Sequence, residues 1–106
     1  MPAVYTVSFG TAVMSAAADI AVFTVPAADH WILRDVVVAN KAAAIARLIV
    51  YAMSGTDSYI IFDQPSSAAQ TSFHFDCRVA LPAGFVLHAN SSGPASFMLT
   101  GYRLTG

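Results

Sequence analysis

Turn-forming residues break this chain at short intervals, and that spacing constrains its fold more than any other feature. Gly10, Pro26-Ala27-Ala28-Asp29, Asn40-Lys41, Ser54-Gly55-Thr56-Asp57, Pro65-Ser66-Ser67, Pro82-Ala83-Gly84 and Asn90-Ser91-Ser92-Gly93-Pro94 separate short runs rich in Val, Ile, Phe, Tyr and Thr. Gly and Pro suit the backbone angles of turns, whereas β-branched and aromatic side chains pack well on a pleated sheet. Short strands about 8–12 residues apart indicate a sandwich or barrel. The runs predict strands over 4–9, 19–25, 31–39, 45–53, 58–63, 71–79, 85–89 and 95–104. The expected fold is therefore all-β, an antiparallel β-sandwich of about eight strands, jelly-roll-like, in one domain over residues 1–106.

Period two is clearest over 71–79. Phe73, Phe75, Cys77 and Val79 alternate with Ser72, His74, Asp76 and Arg78, which puts the first set on one face and the second on the other. Tyr5, Val7 and Phe9 against Thr6 and Ser8 repeat the pattern. Other runs do not alternate: Val36-Val37-Val38 and Leu48-Ile49-Val50-Tyr51 read as apolar on both faces. Ala42-Ala43-Ala44 favours helix, but the β-branched run after it favours a turn at Asn40–Ala44 and then a strand. Ala12–Ala18 reads as a loop or a helical turn.

Charge is scarce. Six acidic residues, all Asp, and five Lys or Arg make 10% of the chain, while 57% is hydrophobic. A domain of this size is mostly surface and usually carries about a quarter charged residues. Much of this surface is therefore expected to be covered, by copies of the chain or by a larger assembly. Val36, Val37, Val38, Leu48, Ile49, Val50 and Tyr51 are the candidate interface residues, with the outward face of each strand unassigned. The net charge of −1 and the scattered Arg34, Lys41, Arg47, Arg78 and Arg103 form no basic field for nucleic acid. No apolar run reaches the roughly 18 residues of a membrane helix, and no secretory leader is visible. One cysteine, Cys77, fits folding in a reducing cytoplasm.

Catalytic patterns are weak. Cys77 lies near His74 and Asp76 in sequence, but on a strand it points away from both, which opposes a nucleophilic dyad. His74 and Asp76 share a face, and His88 from a neighbouring strand would complete a metal site, yet the spacing is not diagnostic and a solvated polar face explains the pair. Asp57 and Asp63 are too far apart for a calcium loop. Trp31, Tyr51, Tyr59 and Tyr102 would suit a sugar-stacking platform, although strand aromatics are more often core or interface residues. The reading is a non-enzyme with no cofactor and no catalytic or metal residues.

Val25-Pro26-Ala27 leads into Trp31-Ile32-Leu33 and on to Asn40, and Leu81-Pro82-Ala83-Gly84 leads into Phe85-Val86-Leu87 and on to Asn90. Two similar β-turns explain this echo. Thr24-Val25-Pro26-Ala27, Trp31 to Asn40, Leu48-Ile49-Val50-Tyr51, Leu81-Pro82-Ala83-Gly84 and Leu99-Thr100-Gly101-Tyr102 together resemble small β-sandwich structural proteins of tailed bacteriophage virions. The chain departs from that pattern at Ala28-Asp29, where such proteins often have Gly. The resemblance implies an assembly role, as a capsid decoration (cement) protein or a tail-associated component, and carries over no catalytic residue. The expected protein is a homotrimer located in the virion, made in the host cytoplasm, that binds the major capsid protein or other virion proteins. The alternative is a tail or fibre module that binds host-surface glycan through loops 54–58, 64–70 and 90–94.

Overall fold

The computed structural model describes residues 3–44 and 46–105. Its elements are all strands: β1 (Ala3–Met14), β2 (Ala18–Thr24), β3 (His30–Asn40), β4 (Ala46–Ser54), β5 (Asp57–Ser67), β6 (Ser72–Leu81), β7 (Val86–Ser91) and β8 (Ala95–Thr105). They form two four-stranded antiparallel sheets, ordered β1-β8-β3-β6 (sheet A) and β2-β7-β4-β5 (sheet B). The pairs β1–β8, β2–β7, β3–β6 and β4–β5 are those of one long hairpin, with β4–β5 at its tip, wound so that successive pairs alternate between sheets. This is the eight-stranded β-sandwich that the turn spacing predicted.

Leu33, Val36, Val38, Phe97 and Leu99 of sheet A face Leu48, Val50, Leu87 and Ala89 of sheet B, all essentially sealed from solvent. Removing this apolar surface from water is the main force holding the sheets together. At one end Phe9, Phe23 and Trp31 form an aromatic cluster with ring centroids 4.3–5.3 Å apart.

The runs that looked apolar on both faces alternate after all. In β3 the buried positions are Trp31 and Leu33, then Val36, Val38 and Asn40. The parity changes because the register to both neighbours shifts between Leu33 and Asp35, with Arg34 the extra residue against β8 and the surplus residue on β6 against that strand. Val37 therefore faces outward between two core valines. Leu48 and Val50 likewise point into the core, and Ile49 and Tyr51 point out. Gly101 makes the bulge possible, since a Cβ there would lie 1.9 Å from the Ile32 carbonyl oxygen.

Two local readings are corrected, and a third holds. Ala12–Ala18 is neither loop nor helix at its start: β1 continues to Met14, past a bulge at Gly10 that resembled a stop signal, with Ala12 and Met14 buried. Pro65 lies inside β5 rather than in a turn, at an irregularity where the pairing with β4 passes from Gln64 to Ser67 and Pro65 has no register partner. The turn after Asn40 gives way to a strand at Ala46, with Ile45 outside the described residues. Asn40 locks that turn from a buried position: its side-chain oxygen accepts from the Ala42 N–H at 2.9 Å and its amide donates to the Ala68 carbonyl at 3.0 Å.

The two Pro-Ala turns are the same turn. Asp29 N–H donates to the Pro26 carbonyl and Phe85 N–H to that of Pro82, each at 3.3 Å. The third residue has positive φ in both, 67° at Ala28 and 88° at Gly84. The turns also bind each other, Val25 N–H to the Phe85 carbonyl and Gly84 N–H to the Val25 carbonyl, both at 2.9 Å. The missing Gly in the first turn thus leaves the turn type unchanged and places an alanine in left-handed space.

Candidate functional site

The outward face of sheet B carries a groove of about 390 Å³. Cross-strand register builds it in rows. Asp19, Asn90 and Ile49 are neighbours in one row, Ala21, His88 and Tyr51 in the next. On the β5 side Ile60 pairs with Tyr51 and Ser58 with Met53. Asp19, Asn90, Thr56 and Ser58 supply polar groups to the lining, while Ile49, Met53 and Ile60 supply an apolar surface beside Tyr51. The Tyr51 hydroxyl donates to Asp19 Oδ2 at 2.5 Å, and His88 Nδ1 lies 3.3 Å from Asp19 Oδ1. The His88 ring stacks on Tyr51, with centroids 4.8 Å apart and planes 13° from parallel. Burial first, then the bond to Asp19 and its negative charge, push the Tyr51 phenol up to about 12.

The outward face of sheet A carries a charged cluster. Asp35 and Asp76 face each other in register, and His74 Nε2 lies 3.0 Å from Asp35 Oδ1 and 3.4 Å from Asp76 Oδ1. The hydrogen bonds from His74 and then Asp76 hold the Asp35 carboxyl below its ordinary range. Next to it the Arg34 guanidinium sits 5.6 Å over the Tyr102 ring. Among the described residues its buried Nε has no hydrogen-bond partner.

One flank of the sandwich is apolar and open. β1 and β2 touch along one side, whereas β5 and β6 meet only sparsely on the other. The inward residues of β6, Phe73, Phe75, Cys77 and Val79, are consequently half-buried, and only Leu81 is sealed. A cleft of about 340 Å³ opens there between the sheets, lined by Tyr59, Ile61, Val79, Leu81 and Phe85. On the adjoining edge strand Tyr59 and Ile60 are 52% and 62% exposed, a degree unusual for large apolar side chains in a row.

The residues picked out by sequence fall as follows. Of the seven interface candidates, Val36, Val38, Leu48 and Val50 lie in the core at 0% exposure, and Val37, Ile49 and Tyr51 lie on outward faces. His74 and Asp76 share a face with Asp35, but His88 belongs to the other sheet, so the three do not converge. Cys77 points inward, away from both, and its thiol donates to the Leu33 carbonyl at 3.4 Å. Burial, reinforced by Asp35 and Asp76, pushes that thiol up, which favours its protonated form. Asp63 is paired with Arg47 at 2.9 Å, and Asp57 opens β5, paired with Ser54. The four aromatics form no shared platform: Trp31 is core, Tyr102 is on sheet A, Tyr59 is at the open flank, and Tyr51 alone lines the groove. Asp19, Asn90 and Asp35 were not singled out, because their partners lie on other strands and no local spacing signals them.

No known protein family matches the chain, and no curated protein matches it in sequence. Solved structures do match in fold. The likeness is to virus structures. The structure of infectious bursal disease virus, Gx strain, overlays 98% of this chain with a TM-score of 0.55 at 11% identity, and that of the Gt strain overlays 97% with a TM-score of 0.50 at 11% identity. The chain covers 37% and 32% of those two longer chains, about a third of their length. A pentameric capsid protein isolated from metagenomic phage sequences overlays 96% of this chain and 59% of its own at 17% identity, with a TM-score of 0.42, too slight a likeness to carry an argument. At these identities the match describes the fold.

Proposed function

We propose that this protein is a structural subunit of a virus particle, working as a homo-oligomer whose open flank is covered by a neighbouring chain. The observation that carries this reading is the flank between β5 and β6. Four inward-facing residues of β6 are left half-buried, beside an exposed Tyr59-Ile60 edge, in a chain with 10% charged residues. An edge strand with free backbone groups and apolar side chains invites pairing unless a partner covers it. The fold it shares with solved virus structures supports the same reading. Its finer form is a decoration or cement protein, trimeric, that bridges major capsid subunits of a tailed-phage head through many weak contacts repeated over the lattice.

Tyr59→Asp tests it, because a charge forced into a dry interface costs several kcal/mol while the same residue is largely exposed in the isolated chain. Light scattering of the wild type should give a trimer or larger species, and the variant should dissociate with its melting temperature little changed. Particles of the source virus lacking this protein should lose resistance to heat or osmotic shock. A wild-type chain that stays monomeric at high concentration and does not bind particles would sink the proposal.

A further inference from the structure

We propose that the groove on the outward face of sheet B is a binding site for a neutral carbohydrate residue. Its volume, about 390 Å³, falls in the range of small-molecule sites, roughly 300–1,000 Å³. Its chemistry has two parts. Ile49, Met53 and Ile60 with the Tyr51 ring offer an apolar surface, and Asp19, Asn90, Thr56 and Ser58 offer hydrogen-bonding groups beside it. A pyranose has the complementary pattern, an apolar C–H face ringed by hydroxyls that both donate and accept. A carboxylate accepts from two such hydroxyls, and an amide or a side-chain hydroxyl serves either role.

Charge narrows the class. The lining holds one carboxylate and no Lys or Arg, so it repels phosphates, sulfates and acidic sugars. The recognition groups are also held in place. The Tyr51 hydroxyl and the His88 ring each engage a different oxygen of Asp19, and the His88 stack fixes the Tyr51 plane. Each carboxylate oxygen keeps a further lone pair for a ligand hydroxyl. Groups ordered before binding lose little side-chain entropy on binding. Asp19 is exposed, and Tyr51 and His88 stand partly buried on the outer face of the sheet, where a ligand can reach them. The groove lies on the outward face of sheet B and the β5–β6 cleft lies between the sheets, and the two share β5, which gives Ile60 to the first and Tyr59 to the second.

The test is a nuclear magnetic resonance titration of the intact protein with the methyl glycosides of glucose, mannose, galactose and N-acetylglucosamine, with methyl phosphate and tetramethylammonium as charged controls. At least one glycoside should shift the amide resonances of Tyr51, Asn90 and Thr56 saturably, at millimolar concentration. Asp19→Asn and Asn90→Ala should each weaken that binding about tenfold, and Asp35→Asn on the opposite sheet should leave it unchanged. The proposal is overturned if no glycoside saturates those resonances by about 100 mM, a limit at which any specific site would be partly filled. It is equally overturned if binding survives both groove variants, or if only tetramethylammonium or methyl phosphate binds. Variants that lose their dispersed spectrum are set aside, and the wild-type titration then decides alone.

Discussion

Ala28 and Gly84 hold the same position in two equivalent turns and differ by one methyl group, so each is the other's control. An L-residue in left-handed space costs about 1–2 kcal/mol, and glycine gives back part of that gain through the entropy of the unfolded chain. Ala28→Gly should therefore stabilise the fold by about 0.5–1 kcal/mol. Gly84→Ala should destabilise it by a similar amount, since nothing lies within 4 Å of the added Cβ and only backbone strain acts. Urea unfolding of both variants checks the pair. Tyr51 makes a second prediction at this scale. Its folded-state pKa, about 12, is raised above the ordinary value of a phenol near 10. Neutral Tyr51 is thus favoured in the folded state below pH ~10, and that stability is lost as pH rises from ~10 through ~12. Ultraviolet titration should show a tyrosine ionising above the ordinary phenol range, and Asp19→Asn should lower that step.

β6 shows how an element with a clean sequence pattern acquires an incomplete burial pattern. Its alternation is regular, and its inward side chains would be core if another strand lay beyond it. It is instead the edge of sheet A, facing the sparse side of β5, so Phe75 meets Phe62 at 5.4 Å but keeps part of its surface in water. Truncating it deletes less buried surface than truncating a sealed phenylalanine. Phe97→Ala, at 2% exposure, should cost about 3–5 kcal/mol, and Phe75→Ala clearly less, about 1–3 kcal/mol. His74→Ala should cost little, because its ion pairs with Asp35 and Asp76 are exposed. Equal losses for the two phenylalanines in chemical denaturation would mean that the flank is closed in solution.

The whole molecule is defined by pairings between distant residues. β1 pairs with β8, joining Ala3 to Thr105, and β2 pairs with β7. Closing such long loops costs entropy before any contact rewards it, so folding should be slow, in milliseconds to seconds. Trp31, the only tryptophan, is buried against Phe9 and Phe23 and should report this in stopped-flow fluorescence. Microsecond folding would contradict the topology. The same architecture leaves β5 and β6 as facing edges, the place where the scarcity of charge, visible in the composition, becomes a local apolar surface.

What this sequence determined by itself was local and compositional. Turn residues set the number of strands, alternation over 71–79 assigned the faces of β6, and the low charge pointed to a covered surface. Period two could not assign Val36-Val37-Val38, because the bulge at Arg34 that shifts the phase depends on β8 and on the close approach of Gly101. Pro65 read as a turn because its tolerance in a strand depends on the irregular pairing of β5 with β4 at that point. The groove was out of reach for the same reason. Asp19 lies 32 residues from Tyr51 and 69 from His88, and only the order β2-β7-β4 brings them together. Local spacing encodes backbone preference and the face of a strand. Which strands are neighbours, and so which side chains meet, is decided by the packing of the two sheets as a whole.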